Sequence, residues 1–214
     1  MKFYTDIFTR TVSLESLLDA WDKFKVGKKH KPDVQVFERR LEDNLFALHD
    51  DLVSKRYRHG EYSGFYIKDP RVRLIHKSIV RDRIVHHAVF KTLNAIFEPT
   101  FIFDSYSCRE DKGTHRAVRR LRMFADAVRG AHGNCFVLKC DIRKFFHSID
   151  HGILLEIISR RIKDVDMVWL IKTLVESFPV QTQIEREGGE EGAPSEISLH
   201  SFSRTSISMN WTSS

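Results

Sequence analysis

The chain has 214 residues, 42% hydrophobic and 30% charged, enough apolar material to bury a core as one domain or two small ones. Its 35 Lys and Arg against 29 Asp and Glu give a formal net charge of +6 and a pI near 9.3, which suits a polyanionic partner. No apolar run approaches the ~18 residues of a membrane span, no signal-peptide run opens the chain, and three Cys without C-x-x-C spacing argue against disulfides or zinc. The expectation is a cytoplasmic protein.

Ser13 is placed to cap a helix running to about Lys25, with Leu14, Leu17, Leu18 and Trp21 on one face. Residues 26–32 form a basic linker. Asp33 then caps the clearest helical pattern, in which Val34, Phe37, Leu41, Leu45, Leu48 and Leu52 recur at steps of three or four. The charged residues between them fit a solvated face. Residues 57–67 read as two short strands around Gly60 and Gly64, and residues 72–75 as a third.

Residues 80–97 read as a helix with Ile84, Val85, Ala88, Leu93 and Ile96 inward, ended by Pro99. Within it His86 and His87 are adjacent, so they diverge on a helix, and a partly buried histidine is the expected outcome rather than a metal pair. A helix starts at Thr114 and runs through Val128. Residues 135–141 read as a buried strand, and helices follow at about 151–162 and 165–178. After Phe178 the chain turns polar and acidic, then rich in Ser and Thr, which predicts a disordered tail over 179–214.

The segment carrying the most chemistry is Val137-Leu-Lys-Cys-Asp-Ile-Arg-Lys-Phe-Phe-His-Ser-Ile-Asp-His151. A carboxylate at the end of an apolar strand can hold Mg²⁺ against substrate phosphates, and such sites use one or two protein carboxylates. Two-metal phosphoryl transfer needs several acids grouped together, so Asp141 alone is only half an argument for it. An ordinary acidic N-cap is the alternative.

Two blocks precede it. One is Phe103-Asp-Ser-Tyr-Ser-Cys-Arg-Glu-Asp-Lys-Gly-Thr-His-Arg-Ala-Val118; the other joins Arg71-Val-Arg-Leu-Ile75 to Arg81-Asp-Arg-Ile-Val-His-His87. In this order the three blocks resemble the reverse transcriptases of bacterial retroelements, namely group II introns, retrons and diversity-generating retroelements. The resemblance runs from about Ser13 to Phe178.

The resemblance implies an α+β fold, with a helical fingers subdomain and the beginning of a right-hand polymerase palm. Its division of the chain is a helix and basic linker over 1–33, fingers over 34–130, an incomplete palm over 131–178 and the tail. It implies an RNA-directed DNA polymerase that uses Mg²⁺, deoxynucleoside triphosphates, an RNA template and a DNA primer.

By that resemblance Asp141 is the catalytic metal ligand and the Ile142 backbone lies along the triphosphate. Phe146 closes the sugar pocket; core packing is the alternative for Phe145 and Phe146. Arg73 contacts the nucleotide triphosphate, Lys68 is a second cation there, and Arg109, Lys112 and Gly113 approach template and nucleotide. Arg71 and Arg81 read better as solvated surface arginines. Arg119, Arg120 and Arg122 either line a nucleic-acid groove or face water.

The chain departs from that family's pattern. The Y-x-D-D turn with its two further aspartates is missing, as is a thumb, and Asp150 looks like a helix N-cap rather than a substitute. In a frame shifted by one base, Met209-Asn-Trp-Thr212 encodes Glu, Leu and Asp whichever synonymous codons are used. Residues 194–214 can then be read as the family's next block. The expectation is a frameshift between Phe178 and Pro194, and a truncated chain that is a polymerase by descent or else a non-catalytic nucleic-acid-binding remnant. Such an unfinished palm would leave the apolar faces of Leu154, Ile158, Leu170 and Leu174 uncovered.

Overall fold

The structure, a computed structural model, describes residues 2–68, 72–142 and 145–178. It is α+β: helices around one core, with a single two-stranded hairpin among the described residues. In chain order the helices are α1 (Phe8–Val12), α2 (Leu14–Lys25), α3 (Pro32–Glu38) and α4 (Leu41–Val53). The strands β1 (Ser63–Lys68) and β2 (Val72–Lys77) come next, then α5 (Val80–Phe97), α6 (Thr114–His132), α7 (Phe145–Ser148), α8 (His151–Ser159) and α9 (Val165–Glu176).

Helix α2 starts where the Ser13 hydroxyl accepts the Ser16 N–H, and it buries Leu17, Ala20, Trp21 and Phe24, one stripe at helical spacing. Leu18, expected on that stripe, is exposed, because the stripe runs through Ala20 and Phe24 instead. Helix α5 is the centre of the molecule: eleven of its 18 residues are buried, so it meets neighbours on most sides, α2 foremost. The inward set expected for it, Ile84, Val85, Ala88, Leu93 and Ile96, is buried throughout.

Two readings of local structure are corrected. The pattern over 33–52 is two helices, not one. At Arg40 the backbone leaves the helical region (φ −129°, ψ 43°), and the Asn44 side chain donates at 3.0 Å to the Phe37 carbonyl, which also accepts the Arg40 N–H. The apolar steps continue across the break, so periodicity cannot show it. Asp33 is not the cap; it lies in the first turn of α3 and accepts from Arg83 at 2.6 Å and Lys77 at 2.8 Å. Residues 57–62, read as strand, have no ladder partner; only Tyr57 among them is buried, and they lead into β1.

The apolar faces of α8 and α9 are covered. Ile158, Leu170 and Leu174 are buried, and Leu154 packs against them, in one core with Phe8, Leu48 and Ile84. The cover comes from the chain start. Tyr4 pairs in parallel with Ile162, its N–H donating to the Arg161 carbonyl while its own carbonyl accepts from Lys163. Phe8 meets Trp169 edge to face at 6.3 Å. The Lys55 ammonium lies 3.4 Å from the Phe8 ring centre and 4.9 Å from that of Trp169, and it pairs with Asp166 at 3.0 Å. A cation between two aromatic faces and a carboxylate ties α4 to α9.

Among the described residues no helix is long and apolar enough to cross a membrane. All three cysteines are free. Residues 179–214, for which a disordered, out-of-frame tail is expected, lie outside the described residues.

Candidate nucleic-acid interface

The hairpin is antiparallel, with Phe65 opposite Ile75, Ile67 opposite Arg73 and Lys68 opposite Val72. Phe65, Tyr66, Ile67, Lys68 and Val72 are exposed, so the hairpin projects from the core. The two cations expected to meet nucleotide, Lys68 and Arg73, occupy consecutive pairs of this ladder; Arg71 lies outside the described residues.

The base of the hairpin is fixed by buried polar chemistry that sequence reasoning missed. Asp82 is 0% exposed; it accepts the Tyr57 phenol at 2.8 Å and the Gly60 N–H at 2.8 Å. A Cβ at Gly60 would stand 3.1 Å from Oδ2 of Asp82 and 2.9 Å from Ile79 Cδ1, so glycine permits this close approach. His59 stacks between Tyr62 and His86, with ring centres 4.7 and 5.1 Å away. Its Nδ1 lies 2.6 Å from the Gly60 carbonyl and must donate there, so in neutral His59 the Nε2 accepts from His86 Nε2 at 3.2 Å. Burial of the Tyr57 phenol, with Asp82 beside it, raises its pKa. The signal for this cluster was an acid between two arginines, Asp82, on the inward face of α5.

Burial, reinforced by His59, His87 and Arg83, pushes His86 down to about 3. His87 is pushed down to about 4 by burial and then by Lys28, Arg83 and Lys23. His86 is buried and His87 partly buried, which matches the expectation of partly buried histidines, and the lowered values favour their neutral forms. Burial opposes ionisation of Asp33, but hydrogen bonds from Lys77 and Arg83 outweigh it and lower its pKa to about 2. Arg81 is not a solvated arginine: it pairs with Asp51 at 2.5 Å and lies over the Tyr57 ring at 5.0 Å.

The second block forms a loop between α5 and α6. The Arg109 side chain, 10% exposed, donates to Glu98 at 2.7 Å and to the carbonyls of Ile102 and Ser105 at 2.9 and 3.0 Å. Its guanidinium therefore knits the loop. Lys112 donates to the Phe103 carbonyl at 2.7 Å, and Gly113, at φ 88°, donates its N–H to the Tyr106 carbonyl and leads into α6. A left-handed φ at that junction favours glycine. None of the 19 residues of α6 is buried.

Asp141 and Ile142 are exposed and lie outside any helix or strand. The strand expected at 135–141 is absent: Phe136 and Leu138 are 92% and 87% exposed. A strand needs a neighbour for its backbone groups, and the described sheet ends at β2. Phe146 lies in α7. The Asp150 side chain accepts the Ile153 N–H at 2.9 Å, which is the N-cap geometry expected of it.

Among the described residues no three His, Cys, Asp or Glu side chains converge on a common point. Asp141 is therefore not part of a grouped carboxylate set among the described residues.

No family model matches the chain. Protein YkfC of Escherichia coli K12 is 26% identical over 172 residues, 77% of this chain and 45% of the relative. Nuclear intron maturase 2, mitochondrial, of Arabidopsis thaliana is 24% identical over 164 residues, 69% of this chain and 22% of that protein. Group II intron-encoded protein LtrA of Lactococcus lactis subsp. cremoris is 31% identical over 90 residues, 42% of this chain and 14% of that protein. The chain is related to group II intron-encoded proteins. The resemblance to retroelement proteins read from the three blocks therefore has a counterpart in these relatives. The chain spans less than half the length of each.

Proposed function

We propose that this chain is a reverse-transcriptase-related, RNA-binding protein whose hairpin and second-block loop handle nucleotide and template. The observation that carries the reading is the relationship to intron-encoded proteins over 164 residues of the Arabidopsis maturase and 90 of LtrA. The net charge of +6 and the exposed cations of α6 support it through counterion release from phosphates.

In this reading Arg73 and Lys68 contact the nucleotide triphosphate, since a guanidinium can fork two phosphate oxygens. Lys112 and Gly113 face template, Arg109 shapes the loop that carries them, and Phe146 borders the sugar. Asp141, with the Ile142 backbone beside it, holds Mg²⁺, which when bound would neutralise the triphosphate. Template RNA, DNA primer and deoxynucleoside triphosphates are the partners. The fingers and palm divisions belong to the same proposal.

A second reading is favoured by one observation. Asp141 has no grouped carboxylates among the described residues, which fits a nucleic-acid-binding protein that does not itself catalyse.

The test is binding of labelled RNA at rising salt, together with nucleotide crosslinking. RNA affinity should fall linearly in log–log form with salt. Arg73→Ala should weaken crosslinking of a deoxynucleoside triphosphate far more than RNA affinity. Salt-independent RNA binding, or equal loss of both readouts, would overturn the assignment.

A further inference from the structure

Phe103 is 68% exposed on the second-block loop, yet its surroundings are built. The Lys112 ammonium stands 3.7 Å from its ring centre and is fixed there by donating to the Phe103 carbonyl at 2.7 Å. The Arg120 guanidinium lies 5.4 Å from the same centre and 4.4 Å from that of Phe124. Arg120 is held by Asp104 at 3.0 Å, and Tyr106 donates to that same carboxylate at 2.9 Å. The Arg120 hydrogen bond keeps the Asp104 carboxyl below its ordinary pKa, so the clamp is charged at neutral pH.

An exposed phenylalanine gains nothing from water, and a loop that only had to turn would not need one. Here two fixed cations stand at a ring that keeps most of its surface exposed, and a helix follows with Arg116 one turn before Arg120 and exposed Arg119 and Arg122. Aromatic faces interleaved with cations are what unpaired bases on a phosphate backbone require: the ring takes the base face and the cations take phosphates. A duplex hides its base faces in its own stack, so it can use the cations but not the ring.

We propose that Phe103, clamped by Lys112 and Arg120, is a stacking site for an unpaired base of single-stranded nucleic acid. It rests on the nucleic-acid reading above and names the form of strand that the second-block loop takes. The site does not involve Asp141 or the hairpin.

The test uses the full chain and fluorescence anisotropy at low salt, with labelled single-stranded U12 and A12 RNA, single-stranded dT12, and a 12-base-pair RNA duplex. Phe103→Ala should weaken single-strand binding about 5- to 100-fold, the loss of one stacked base. Duplex affinity and the salt slope should stay as in the wild type, because no phosphate contact is removed. Phe103→Trp should restore single-strand affinity and add a tryptophan signal quenched on binding. Comparison of the RNA and dT12 arms distinguishes a ribose-dependent site from a general one.

Unchanged single-strand affinity in Phe103→Ala would overturn the proposal while leaving the nucleic-acid reading intact. So would equal weakening of single strands and duplex, which would mean that Phe103 acts through the loop's shape. Binding of none of the four probes by the wild type would instead overturn both readings.

Discussion

The Tyr57 phenol donates to the Asp82 carboxylate at 2.8 Å in a pocket where Asp82 has no exposed surface. A buried carboxylate survives there because Gly60 and Tyr57 both donate to it and His59 Nδ1 lies 3.6 Å away. Asp82→Ala strands the buried Tyr57 hydroxyl, at about 1–3 kcal/mol, and the part-buried Gly60 N–H as well. Tyr57→Phe removes one hydrogen bond and should cost less. Urea denaturation of the two variants should rank them in that order; a neutral Asp82→Ala would mean the cluster is open to water.

Acid should loosen the same region before the carboxylates titrate. His86 and His87 have folded pKa values of about 3 and about 4, below the ordinary 6.5, so the unfolded chain binds protons that the folded chain does not. Their stabilisation is complete above about pH 6.5 and is lost as pH falls toward those folded values. Asp33, lowered to about 2 from 3.8, adds a loss in the same direction at lower pH. For His86 the slope can reach about 1.4 kcal/mol per pH unit. Unfolding free energies at pH 7, 6 and 5 should decline, and His86→Gln should flatten the decline. A flat wild-type profile would contradict the burial of both rings.

One carboxylate caps two helices. Asp164 Oδ2 accepts the N–H groups of Ile7 and Phe8 at 2.8 Å, while Oδ1 accepts those of Asp166 and Met167 at 3.0 and 3.1 Å. Losing a cap costs about 1 kcal/mol, so Asp164→Ala should cost about 2 kcal/mol. Hydrogen exchange should accelerate at Ile7 and Phe8 as well as at the start of α9. Acceleration at only one of the two helices would show that the caps act separately.

Primer extension should be absent. Purified chain with Mg²⁺, primed RNA template and deoxynucleotides is expected to yield no product, because Asp141 is ungrouped among the described residues. Template-directed products that disappear in Asp141→Ala would reveal further carboxylates completing the centre.

The helices were legible where one face repeats at helical spacing, as in α2, α5 and α9. Helix caps were legible too, since Asp150 and Ser13 both cap where the sequence places them. Features set by long-range partners were not. Phe37 and Leu41 keep their spacing across a break at Arg40 that the Asn44 side chain bridges by donating to the Phe37 carbonyl. The run at 135–141 has strand composition, but composition cannot supply a neighbouring strand. Arg81 and Arg109 look alike in sequence to any solvated arginine; only Asp51 and Glu98, brought in by the fold, make them structural. Helix α1 was missed because five residues capped from Asp164 carry too little local signal.

The pairing of Tyr4 with Ile162 has a consequence for synthesis on the ribosome. Ile7 finds its partner only when Asp164, 157 positions further along, has left the exit tunnel. Closing a loop of that length costs about 4.5 kcal/mol in chain entropy before the contacts form. Helices α2, α4 and α5 can assemble earlier, but Phe8 stays without its α9 partner Trp169 until residues 165–176 have emerged. The nascent chain therefore carries a partly uncovered core until late, and chaperone dependence during synthesis should end when α9 emerges.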